Sequence, residues 1–197
     1  VSLAFRTRTA YKKLMFILLA VLVGLTAFAM LVAGGLSLLR DSHKTENRYF
    51  FLLTASLAVW LPCNFIGSNV VSPGVTETFV KLDFSLGLFV IWFLHQFISA
   101  FVNPLSNKEK AKEFSQTKIF ILITTLINLL LVAGILLGQV FDVSIKTGNL
   151  SVAPKRSFYL FAAALTFYLL YALIILFRGF FQPTDTKRPT LNLILVG

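Results

Sequence analysis

Residues 14–39 read LMFILLAVLVGLTAFAMLVAGGLSLL, a stretch without a single charged position. About 20 apolar residues wound as an α-helix, rising 1.5 Å each, cross the roughly 30 Å hydrocarbon core of a bilayer. This stretch is longer than that and spans with tilt to spare. Hydrocarbon offers no partner for backbone amides, so a spanning segment must satisfy its own and is helical. Arg6, Arg8, Lys12 and Lys13 lead into it. A basic start, an apolar run and Ala27-Phe28-Ala29 also have the form of a cleavable secretory leader. The run continues through Met30, Leu31, Val32 and Ala33, however, and an uncleaved span accounts for the whole stretch.

The same pattern recurs downstream at about residues 49–71, 79–102, 119–141 and 158–181, and a further apolar run opens at about 191. The expected fold is all-α: a polytopic transmembrane helix bundle with five complete spans and the start of a sixth, forming a single membrane domain over 1–197. Val1 and Gly197, the latter within an apolar run, read as cut ends. Composition agrees. Of 197 residues, 57% are hydrophobic and 13% charged, whereas a soluble domain carries about 25% charged residues.

The net charge of +10 resides almost wholly between apolar blocks. A nucleic-acid binder would interleave its basic residues with polar and aromatic positions on a solvated face. Here the basic residues fit retention by anionic headgroups, so the lipid bilayer is the expected partner and nucleic acid is not. Lys and Arg flanking the first, third and fifth connections number ten, counting Arg178, against eight on the other side, counting Lys81. The margin leans toward an outside N-terminus. The nearly uncharged second connection, residues 72–78, leans the same way. Residues 142–157 differ from the other connections. Val143 and Ile145 alternate, Thr147-Gly148-Asn149 follows, then Leu150 and Val152, the pattern of a small β-hairpin.

Polar residues inside apolar spans are costly and mark candidate sites. Trp60 and Asn64 lie on one stripe of the second span with Gly67 and Ser68, and Pro62 interrupts that span. His95 in the third span and Asn128 near the centre of the fourth complete the intramembrane candidates for a ligand or for interhelical hydrogen bonds. A pocket lined by Trp60, Asn64 and His95 is one arrangement this allows. Lys81, Asp83 and Arg178 are expected as interfacial charges that reach the membrane surface. Lys81 and Asp83, two apart, do not face one another, while Lys81 and His95, fourteen apart, project from one helix face. Gly24, Gly34, Gly35, Gly134 and Gly138 allow close helix approach, with Gly134 and Gly138 at small-xxx-small spacing.

No phosphate loop, HExxH, GxSxG or paired-cysteine metal motif is present. The single Cys63 forms no internal disulfide, and two histidines exclude a His-rich metal centre. No catalytic residue, cofactor or metal is therefore assigned to this segment.

Asn47-Arg48-Tyr49-Phe50-Phe51-Leu52-Leu53, then Ala58-Val59-Trp60 and Asn64, present a polar lead, an aromatic-leucine run, a Trp and a small polar residue. Phe158-Tyr159-Leu160-Phe161 follows the hairpin, and Lys187-Arg188 precedes Leu191 to Gly197. This layout resembles the N-terminal seven-span sensor region found ahead of bacterial sensor histidine kinases. The similarity runs over nearly the whole chain and covers five complete family helices. Pro62 within the second helix and the basic first flank depart from the pattern. The resemblance implies a plasma-membrane input domain with an outside N-terminus and an external fourth connection. It also implies a downstream cytoplasmic kinase and a second copy as partners. The competing reading is a fragment of a polytopic transporter or channel; an assembly subunit and a membrane-embedded enzyme rank below it.

Overall fold

The computed structural model describes residues 2–69, 72–102, 110–146 and 149–181, with side chains for 11, 13–69, 72, 74–102, 119–144 and 150–177. Five helices and one hairpin follow in order: α1 (Ser2–Arg40), α2 (Thr45–Ser68), α3 (Pro73–Val102), α4 (Lys110–Leu136), β1 (Phe141–Lys146), β2 (Asn149–Pro154) and α5 (Phe158–Phe181). All five helices are long and apolar enough to cross a membrane. The expected start of a sixth span, 191–197, lies outside the described residues.

Several boundaries move from those expected. The α1–α2 turn is knotted by polar groups. The Ser37 hydroxyl donates to Asn47 Oδ1 at 3.2 Å, Asn47 Nδ2 to the Asp41 carbonyl at 2.9 Å, and Arg48 Nε to the Ser42 carbonyl at 2.6 Å. These bonds let α2 begin at Thr45. The helix runs through Pro62 and stops at Ser68. There the Asn69 amide side chain donates to the Phe65 carbonyl at 2.6 Å. The third helix starts at Pro73, six residues before the expected 79, because proline suits the first helical position, where its missing N–H costs nothing. The fourth ends at Leu136 and not at 141. Gly138, with φ of 69°, takes the left-handed conformation after the last turn. Its N–H donates to the Ile135 carbonyl at 2.9 Å, and Gln139 N–H donates to the Gly134 carbonyl at 2.8 Å. That is a Schellman closure. Gly138 therefore terminates a helix and is not part of a helix-packing motif.

The hairpin expected at 142–157 is present as an antiparallel pair, Val143 opposite Val152 and Ile145 opposite Leu150. Asn149 is already in β2 opposite Lys146 and so is a strand residue, while residues 147–148 lie outside the described residues.

Ring contacts give the helix directions. Phe16 of α1 meets Phe65 of α2, and Phe50 of α2 meets Phe97 of α3, so both pairs are antiparallel. Phe84 of α3 meets Phe141 of β1 at 4.6 Å and Phe161 of α5 at 5.8 Å; farther along, His95 meets Phe120 of α4 and Tyr171 of α5. Helices α3 and α5 thus run parallel, with α4 antiparallel to both and the hairpin closing the end where α4 finishes. The core lies among α3, α4, α5 and β1: Val80, Leu88, Trp92, Ile135, Val140, Phe141, Phe161 and Tyr168. Helix α3 is its hub, packing against α2, α4, α5 and β1, whereas α1 lies chiefly along α2.

Candidate functional site

Helix α3 carries polar groups on two different faces, and each face meets different neighbours. Toward α2, Asn64 Nδ2 donates to Asp83 Oδ1 at 3.0 Å, with the Trp60 indole beside the same carboxylate. Gly87 lies one turn beyond Asp83, and a Cβ there would sit 3.6 Å from Trp60 Nε1, an ordinary contact, so the indole packs over this position. Asn64, one turn from Trp60 on α2, donates to a carboxylate ten residues into α3. Asp83, expected as an interfacial charge, is also an interhelical acceptor.

Lys81 takes the interfacial role. Its Nζ pairs with Glu77 Oε1 at 2.8 Å, one turn back toward the helix start, and approaches Gly138 at the end of α4. Close by, Lys155 Nζ pairs with Asp142 at 2.7 Å and donates to the Gly138 carbonyl at 2.7 Å. A cation there complements the negative end of the α4 dipole. The Ser157 hydroxyl donates to the Gln139 carbonyl. Arg178 falls near the end of α5, and its side chain lies outside the described residues.

The second polar face of α3 turns toward α4 and α5. Trp92, His95, Gln96 and Ser99 fall within an arc of about 100° at 3.6 residues per turn. His95 is 2% exposed and Gln96 4%, and Asn128 on α4 is 1% exposed. None of Trp92 Nε1, His95 Nδ1, His95 Nε2, Gln96 Nε2, Ser99 Oγ, Asn128 Nδ2 and Asn128 Oδ1 has a hydrogen-bond partner. The Tyr168 hydroxyl donates to the Thr124 carbonyl at 3.3 Å. The Asn128 amide lies within electrostatic reach of that hydroxyl but short of hydrogen-bond geometry. The His95 ring is enclosed by Tyr171 at 5.1 Å, Phe120 at 6.0 Å and Tyr168 at 6.1 Å.

The structure therefore separates the sequence candidates into two sets. Trp60 and Asn64 join Asp83 at the α2–α3 seam, while His95 and Asn128 belong to the α3–α4–α5 core, so one pocket lined by Trp60, Asn64 and His95 does not form. Gln96, Ser99, Tyr168 and Tyr171 were not singled out from sequence. Of these, Gln96 and Ser99 were findable, because they extend the His95 stripe at helical spacing. Among the described residues no group of three or more His, Cys, Asp and Glu side chains is placed to hold a metal ion.

Five long apolar helices define a multi-pass α-helical membrane protein. No family model matches the chain, and neither does any characterised protein or solved structure.

Proposed function

We propose that this chain is the membrane-embedded input region of a bacterial two-component sensor histidine kinase. In this reading it sits in the plasma membrane with its N-terminus and hairpin outside, and it acts on a cytoplasmic catalytic domain and a second copy of itself. The observation that carries the reading is the set of unpaired polar groups on α3, the helix that touches nearly every other element. An occupant of that set changes how α3 packs against α4 and α5. The opposite seam, tied through Asp83, passes the change to α2. A signal needs only such a difference between two packings, and couplings of about 1–3 kcal/mol are typical. A transporter reading would favour broken helices near the bilayer midplane. Among the described residues, α2, α3, α4 and α5 each run unbroken through the apolar zone.

The test is the product of the complete gene reconstituted in liposomes with ATP. Phosphate transfer to a histidine of a cytoplasmic helical segment supports the reading. A complete gene that encodes no ATP-binding catalytic region, or a protein that instead passes solutes across the liposome, overturns it in favour of the transporter or channel.

A further inference from the structure

Burying a polar group without a partner costs about 1–3 kcal/mol. Near His95, seven side-chain N and O atoms carry that cost within one packed region. Their character is lopsided. Trp92 Nε1, Gln96 Nε2, Asn128 Nδ2, the Ser99 hydroxyl and one imidazole N–H are donors. Against these stand few acceptors, chiefly the other imidazole nitrogen and Asn128 Oδ1. Among the described side chains no carboxylate faces the set from α4 or α5, and no Lys or Arg lies beside it. The complementary occupant is therefore uncharged and rich in acceptors.

The route to the set is also aromatic and apolar. Tyr171, whose ring is 5.1 Å from His95, is 37% exposed on the outer surface of the bundle, which in a membrane is lipid. It stacks on exposed Phe167 at 5.8 Å and contacts Phe120 of α4 at 5.7 Å. These rings form a seam between α4 and α5 that leads from lipid to the imidazole. A molecule entering there comes out of the bilayer laterally. It is apolar enough to dissolve in lipid and flat enough to pass between rings.

We infer that α3, α4 and α5 form an intramembrane binding site for a lipid-soluble carbonyl compound of the quinone type. Its ring lies against Tyr171, Phe120 and Tyr168, and its carbonyl oxygens accept from His95 and Gln96. Binding alone is inferred, with no electron transfer. The inference names the ligand class for the input region proposed above and rests on that reading for its biological meaning. The site itself is tested without any kinase.

The chain, carrying Trp60→Phe so that Trp92 is the single tryptophan, is placed in lipid nanodiscs and titrated with a short-tailed 1,4-benzoquinone. Saturable quenching of Trp92 is expected, with affinity falling at least tenfold in His95→Leu and in Gln96→Leu. The Gln96→Leu protein should unfold at the same temperature as its parent or higher, because an unpaired buried amide has gone, and this separates lost binding from lost folding. Asn128→Leu serves as a second such variant. Leu25→Ala, on the exposed face of α1, should leave binding within twofold. Quenching that never saturates, or that is equal in the leucine variants, shows partition into lipid or water alone at the set and overturns the site. Equal competition by methyl dodecanoate shows that an acyl ester carbonyl suffices and overturns the ring assignment. Saturable binding without kinase activity in the complete protein would leave the site standing and remove only the sensor reading.

Discussion

Asp83 shows how a single residue changes meaning with its setting. A carboxylate beside a helix end is an anchor, but one held by Asn64 is a tie between two helices. Hydrogen bonds between membrane helices average about 0.6 kcal/mol and reach about 1.7. A double-mutant cycle of Asn64→Ala and Asp83→Ala, read by unfolding from mixed micelles, should give a coupling in that range; a value near zero means the tie is not made in the bilayer. Gly34 is another such residue. A Cβ there would stand 3.2 Å from Thr54 Cβ and 3.3 Å from the Phe51 Cα, and would meet the Thr54 hydroxyl. That hydroxyl is already committed to the Phe50 and Phe51 carbonyls, both at 3.0 Å. Gly34→Ala should lower stability by about 1–3 kcal/mol, the usual cost of overpacking. Gly24 and Gly35 have nothing within 4 Å of an added Cβ. In the same unfolding assay, alanine at either should be neutral or gain up to about 1 kcal/mol from the stiffer helix. Sequence offered all three glycines as equals.

At the scale of elements, the end of α4 is the informative case. Hydropathy alone carries the fourth span on through Val140 and Phe141, both apolar and both buried. The chain stops the helix earlier because Gly138 accepts the left-handed turn and Lys155 returns to cap the exposed carbonyls. Gly138→Ala should cost about 1–2 kcal/mol, the penalty of a Cβ in that conformation. Gly138→Asn should recover part of it, since asparagine also tolerates the turn. Amide hydrogen exchange at Gln139, whose N–H closes the motif, should speed up in the alanine variant. Unchanged exchange would mean that the hairpin, not the glycine, holds the end. The hairpin itself was legible because β-alternation contrasts sharply with the uniform apolar runs around it. Its apolar face, Val143, Leu150 and Val152, packs on the bundle core.

For the molecule as a whole, three spanning helices separate the α1–α2 turn from the hairpin, so the two lie on opposite sides of the bilayer. The single native thiol, Cys63, is buried and gives a silent background. A membrane-impermeant maleimide should therefore label Ser42→Cys and Ser144→Cys from opposite sides. With the N-terminus outside, Ser144→Cys reacts in intact cells and Ser42→Cys only after permeabilisation. Labelling of both from one side would break the five-span topology, and the reverse assignment would invert the orientation.

Sequence by itself determined the solvent of this protein and five of its crossings, because lipid admits only long apolar helices and their length and hydropathy are local properties. It also marked the hairpin and the rare polar residues within the spans. What it left open was how those residues pair. Pairing depends on where each helix begins and which face it turns to which neighbour, and those are decided by caps such as Pro73 and Gly138 and by ring packing across helices far apart in the chain. Only the tertiary structure could send Asn64 and Trp60 to Asp83 and leave His95, Gln96 and Asn128 together without partners. A hydropathy pattern states that a polar group is buried; the arrangement of the surrounding helices decides whether anything answers it.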